Sequence, residues 1–116
     1  RWYTKAAEQG DVDAQYNLGV MYDEGKVVLQ DYKESLKWYR LAAEQGDSSA
    51  QLNLGVKYFL GEGVLKDYVM AHMYLNIASV SGHQNAIKGR GMVEEDMTSS
   101  QIAEAQKLAR EWMRKH

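Results

Sequence analysis

Apolar positions recur along this chain at helical spacing, in short blocks set apart by glycines and acidic residues. Ala14, Leu18, Met21, Tyr22 and Gly25 fall at i, i+4, i+7, i+8 and i+11, which is one face of a helix that packs inward. Asp11 stands before this block, where a short acceptor can take up the unpaired N–H groups of a first turn. Beyond the stretch 25–30 a second block opens with Asp31-Tyr32-Lys33-Glu34, an acceptor followed three residues later by Glu, the spacing of a reciprocal capping box. Its inward side carries Ser35, Trp38, Tyr39, Ala42 and Ala43, where the aromatics fill space and the alanines admit a close neighbour. Gly46 stops the helix, because glycine takes the left-handed conformation without a Cβ clash. The pattern predicts a helical hairpin over 11–46.

The hairpin is then copied. Of the 24 positions from 2 to 25, 16 are identical to the residue 36 places later, from Trp2 against Trp38 to Gly25 against Gly61. A period of this length is the signature of a stacked array. The next unit, 47–82, keeps the plan, with Asp47, Asp67, Ala71, Tyr74, Ala78 and Gly82 standing where Asp11, Asp31, Ser35, Trp38, Ala42 and Gly46 stand. Its connector reads Gly61-Glu62-Gly63-Val64 against Gly25-Lys26-Val27-Val28, and a β-branched Val27 in place of a glycine predicts a different turn. Over 83–97 the repeat decays to a partial helix, with Arg90 in the place of Leu18 and Leu54, and Glu94 in that of Tyr22 and Tyr58.

Thr98 and Gln101 restore capping-box spacing, and Ile102, Ala105, Leu108, Ala109 and Trp112 form one apolar stripe opposite Glu104, Lys107, Arg110, Glu111 and Arg114. Segment 98–116 is therefore expected to be an amphipathic capping helix, which an array needs to cover its last apolar face. At the other end Arg1-Trp2-Tyr3 aligns with Lys37-Trp38-Tyr39, so 1–10 reads as the second helix of a truncated upstream repeat. The expected fold is all-α, an α/α superhelical solenoid with a C-terminal capping helix.

Composition narrows the function. A net charge of −2 with interspersed signs offers no basic field for phosphates, so nucleic acid is not an expected partner. No apolar run approaches the roughly 18 to 20 residues of a membrane span, so membrane insertion is not expected either. The absence of cysteine removes disulfides, thiolate metal sites and cysteine nucleophiles without identifying a compartment.

Candidate chemistry is sparse. His72, His83 and His116 lack the i, i+4 pairing with a carboxylate that a helix-borne zinc site needs. Glu94-Glu95-Asp96 reads as a solvated helix end, because its carboxylates point to successive sides of a helix instead of facing each other across a cleft. Ser79, Ser81, Ser99 and Ser100 have no histidine placed as a base, and Gly61-Glu62-Gly63 lacks the Lys and Ser/Thr of a phosphate loop. No catalytic, cofactor or metal site is expected, and the chain does not read as an enzyme.

The 36-residue period, the first-helix pattern Ala-x-x-Asn-Leu-Gly-x-x-Tyr-x-x-Gly and the second-helix pattern Trp-Tyr-x-x-Ala-Ala-Glu-Gln-Gly resemble Sel1-like repeats, relatives of the tetratricopeptide repeat. The resemblance covers residue 1 to about Asn85, and segment 97–112 is similar to the terminal helix that closes bacterial members. It implies a superhelical adaptor that binds another protein, in the bacterial cytosol or exported to the envelope; both compartments stay open. Members stapled by a cysteine pair in each hairpin form a branch from which this chain departs.

In related tetratricopeptide arrays the first helix of each pair lines the concave side. Opposite the packing face, Asp13, Tyr16, Asn17, Val20, Asp23 and Glu24 share a stripe, matched in the next unit by Ser49, Leu52, Asn53, Val56, Phe59 and Leu60. From these the expected partner-binding groove is Tyr16, Asn17, Val20, Leu52, Asn53, Val56 and Phe59, with Lys88 and Arg90 adding positive charge at its end. Each has a plainer explanation. The valines and asparagines can serve packing between repeats, Phe59 can fold beneath the 61–65 loop, and the cations can be a solvated face. Two further functions stand beside the groove: an accessory docking or regulatory end of a larger enzyme or envelope protein, and self-association through Trp2, Tyr3 and the Ala6 face of the truncated N-terminal helix.

Overall fold

The computed structural model describes residues 2–25 and 30–116, with side chains described from Thr4 onward. Among these residues seven helices and no strand occur: α1 (Trp2–Glu8), α2 (Val12–Glu24), α3 (Tyr32–Glu44), α4 (Ser48–Leu60), α5 (Tyr68–Val80), α6 (Gln84–Glu94) and α7 (Ser99–Lys115). The fold is an α/α solenoid of stacked helical hairpins, α2 with α3 and α4 with α5, followed by α6 and α7. The starts of α2, α4 and α6 are spaced by the repeat length, as are those of α3 and α5, so residues 36 apart in sequence occupy matching places.

Local chemistry sets these starts. The Asp11 carboxylate accepts from the Ala14 amide, Asp31 from Lys33 and Glu34, and Asp67 from Met70. Asp47 holds the N-cap of α4 without closing a side-chain hydrogen bond. At α3 the reciprocal half of the expected box is absent, because Glu34 instead accepts from Trp38 Nε1 at 3.2 Å and pairs with Lys37 at 3.5 Å. Among the described residues both halves are made only at α7, between Thr98 and Gln101. Gly46 ends the second helix of its hairpin at φ 95, as expected. The expected turn at Val27 lies outside the described residues.

The core runs through the junctions. Leu36, Tyr39, Ala42 and Ala43 of α3 meet Ala50 and Leu54 of α4, Met73, Tyr74 and Ile77 of α5, and Ala109 of α7. A second cluster holds Ala7, Ala14, Leu18 and Trp38, with Met21 and Tyr22 against it, so the predicted inward face of α2 is the packed one. The α1–α2 and α3–α4 junctions each carry a buried glutamine that reaches back to the preceding helix: Gln15 Nε2 donates to the Ala7 carbonyl and Gln51 Nε2 to the Ala43 carbonyl, both at 3.1 Å. Each of these carbonyls also accepts a backbone amide, Ala7 from Gly10 and Ala43 from Gly46, so the glutamine adds a second bond that ties the helix end to the next helix.

Within each hairpin a glycine of the first helix admits a large side chain of the second. A Cβ on Gly19 would lie 2.5 Å from the Tyr39 ring, and one on Gly55 would lie 2.8 Å from Leu75. Ser35, fully buried, donates to the Gly19 carbonyl at 2.7 Å and seals the same contact.

The C-terminal third departs from two expectations. Glu94 is not a free helix end, since its carboxylate meets the buried His72 Nε2 at 2.7 Å. Arg90 turns to α5, donating to Asn76 at 2.8 Å and Ser79 at 3.0 Å. The apolar stripe of α7 does pack inward, but against α5, where Leu108, Trp112 and Met113 join the main cluster.

Candidate partner-binding groove

The residues singled out from the sequence differ in their surroundings. Tyr16 and Val20 are half-buried against the main cluster, with the Tyr16 ring centred 5.9 Å from that of Tyr39. Asn53 lies with its side chain beside the Tyr39 hydroxyl, and Asn17 is half-buried on α2. Lys88 stands exposed on α6. Leu52, Val56 and Phe59 do come together, along one wall of a groove.

That groove has a volume of about 340 Å³. Leu52, Val56, Phe59 and Leu60 of α4 face Asn85, Gly89, Met92 and Val93 of α6 across Leu75 of α5. No lining residue is ionisable. Phe59 is steadied by the Tyr68 ring at 5.6 Å, so it packs on the start of α5. Val56, Leu60 and Met92 are 38%, 51% and 62% exposed, which leaves the apolar lining open to solvent. An open apolar surface on a chain otherwise rich in charge makes this groove the candidate contact surface.

The matching position one repeat earlier is closed. There the Tyr39 hydroxyl donates to Asp23 at 3.2 Å, and Asp23 also accepts from Lys57 Nζ, whose second carboxylate is Glu62 at 2.7 Å. Lys57 is buried and lies 4.5 Å from the centre of the Tyr32 ring. Burial works against its charge, but the two carboxylates outweigh burial and hold the ammonium above its ordinary pKa. Burial, then the Asp23 charge, push the Tyr39 hydroxyl well above the usual phenol value. Asp23 is thus engaged within the fold.

Sequence reasoning did not name Leu75, Asn85, Gly89, Met92 or Val93. The signal for the most informative of them was present, because Leu75 and Gly89 stand 36 residues after Tyr39 and Asn53. Among the described residues no three His, Cys, Asp or Glu side chains gather as a metal site, and no helix is long and apolar enough to cross a membrane.

The repeat geometry agrees with what is known of other chains. The family model of the Sel1 repeat matches residues 1–11, 12–47 and 48–83. The chain belongs to the Sel1 repeat family. A crystal structure of a protective antigen present in uropathogenic Escherichia coli strains, displaying an SLR fold, superposes with TM-score 0.95 at 37% identity, over 97% of this chain and 24% of that one. A Sel1 repeat protein from Oxalobacter formigenes superposes with TM-score 0.74 at 38% identity, over 78% of this chain and 37% of that one. This chain therefore spans well under half the length of either relative. No curated protein matches it. Sel1 repeats are protein-interaction modules, typically non-catalytic scaffolds, and the glutamine and glycine of each repeat here are accounted for by how the hairpins stack.

Proposed function

We propose that this Sel1 array is an adaptor that holds an apolar peptide or helix of a partner protein in the concave groove between α4 and α6. The observation that carries this reading is the open, uncharged lining formed by Leu52, Val56, Phe59 and Leu60 opposite Gly89 and Met92. Burying such a lining against a partner is favourable by about 25 cal/mol per Å² of apolar surface, before the losses of association are subtracted. Lys88 is exposed on α6 outside the lining and takes no part in this reading. Tyr16, Val20 and Asn53 serve the closed junction in this reading, and the groove belongs to α4, α5 and α6.

The test compares capture of partner proteins by the wild type and by a Leu52→Glu/Phe59→Lys variant, with folding followed by circular dichroism. Because Leu52 and Phe59 are half-buried, a Leu60→Glu/Met92→Glu variant repeats the test at exposed positions. Loss of capture by folded variants is expected. Undiminished capture by both would move the interface to another face.

A further inference from the structure

The two junctions of the array can be compared atom for atom, since their helices keep the same register. In the first, the Tyr39 ring lies on Gly19 of α2, and its hydroxyl sits beside Asn53 of α4 and donates to Asp23. In the second, the matching residue is Leu75, which lies on Gly55 of α4 and comes within 3.5 Å of where a Cβ on Gly89 of α6 would stand. A leucine thus replaces a tyrosine, and a glycine replaces the asparagine that meets it. The polar closure is lost as well, because Asp23 and Lys57 are matched by Phe59 and Val93. The groove is the space that an aromatic ring and a carboxamide fill one repeat earlier.

We propose that this groove is an aromatic anchor site: it takes a phenylalanine or tryptophan side chain from the docked partner segment, seated over Leu75 and against Gly89. The inference rests on the adaptor reading above. Charge selects against ionised occupants, since the lining has no counter-charge to offset their desolvation. Shape selects for a flat ring, because the unbranched Gly89 leaves a slot against α6 while Phe59 offers a ring for edge-to-face contact. Tyrosine is disfavoured relative to phenylalanine, because the carboxylate that accepts from the Tyr39 hydroxyl has no equivalent here.

The probes are N-acetyl amides of phenylalanine, tryptophan, leucine and glutamate, titrated into the isotope-labelled chain and read by amide NMR shifts. The aromatic amides are expected to move the resonances of Val56, Gly89 and Met92, binding about fivefold tighter than the leucine amide, with no response to glutamate. Leu75→Tyr, which puts back the residue of the first junction, should abolish those shifts. Gly89→Phe, which fills the slot from the solvent-facing helix, should do the same if the first variant does not fold. Equal or tighter binding of leucine overturns the aromatic assignment but leaves the adaptor groove standing. Shifts of the same resonances on simple dilution would mean that a second copy covers the groove, and overturn the proposal. Silence of these resonances to every probe would remove both readings.

Discussion

Lys57 on α4 reaches across a repeat boundary to Asp23 on α2, and the same ammonium holds Glu62 in the loop that follows its own helix. Both partners of the cross-repeat pair break the repeat pattern, since the matching residues are Met21 and Phe59. One junction has thus become a polar lock while the next has stayed apolar. Lys57→Met, which installs the residue found at the matching place in α2, leaves two partly buried carboxylates without their cation. It is expected to cost about 2 kcal/mol, read from urea unfolding. An unchanged midpoint would show that burial of the ammonium cancels what its carboxylates contribute.

The same pair gives an alkaline signature. Because the folded-state pKa of Lys57 is raised, its contribution is fully present below the unfolded lysine value of about 10.4 and is lost as pH rises through the folded value. The melting-temperature gap between wild type and Lys57→Met should be constant near neutrality and shrink above that range. Tyr39, also held protonated by burial and by Asp23, weakens the fold in the same direction, but it is present in both proteins and largely drops out of the difference.

The helical glycines divide into two kinds. Alanine normally improves a helix interior over glycine by about 1 kcal/mol. At Gly19 the added methyl would collide with a Tyr39 ring that is 1% exposed and cannot move aside, so Gly19→Ala should destabilise by about 2 kcal/mol despite that gain. Gly91 has open space around its Cβ direction, and Gly91→Ala should stabilise by about 1 kcal/mol. Thermal melts of the two variants should therefore shift in opposite directions.

Gln15 and Gln51 make the same bond at successive junctions, each to a buried helix-end carbonyl. Gln15→Ala or Gln51→Ala should each lose about 1 to 2 kcal/mol. Hydrogen exchange should quicken most at the helix end that loses this tie, α1 for the first variant and α3 for the second. A uniform change across the chain would mean that the bond serves global stability alone.

The helices were legible because hydrophobic spacing, acidic caps and terminal glycines all act within a single element, and Asp11, Asp31, Asp67 and Gly46 did what their local chemistry dictates. The groove was half legible. Leu52, Val56 and Phe59 could be found as an apolar stripe where the other copy is polar. Tyr16 and Val20 pack partly against the main cluster, which helical phase cannot foretell, because it says which side of a helix a residue occupies and not whether another helix covers that side. Asp23 shares their stripe, and its partner, Lys57, is 34 residues away, so only the fold brings them together. Glu94 likewise looked solvated until His72 was seen to lie beneath it.

The helix α6 forms one whole wall of the groove, yet only Ala86 and Val93 among its residues are buried, while the capping helix lends its apolar stripe to α5. A wall with so small a hydrophobic anchor is held less firmly than the helices at the centre of the core. What apolar contact does not supply is made up by polar ties: the His72–Glu94 contact and the two bonds from Arg90 fasten this wall to α5.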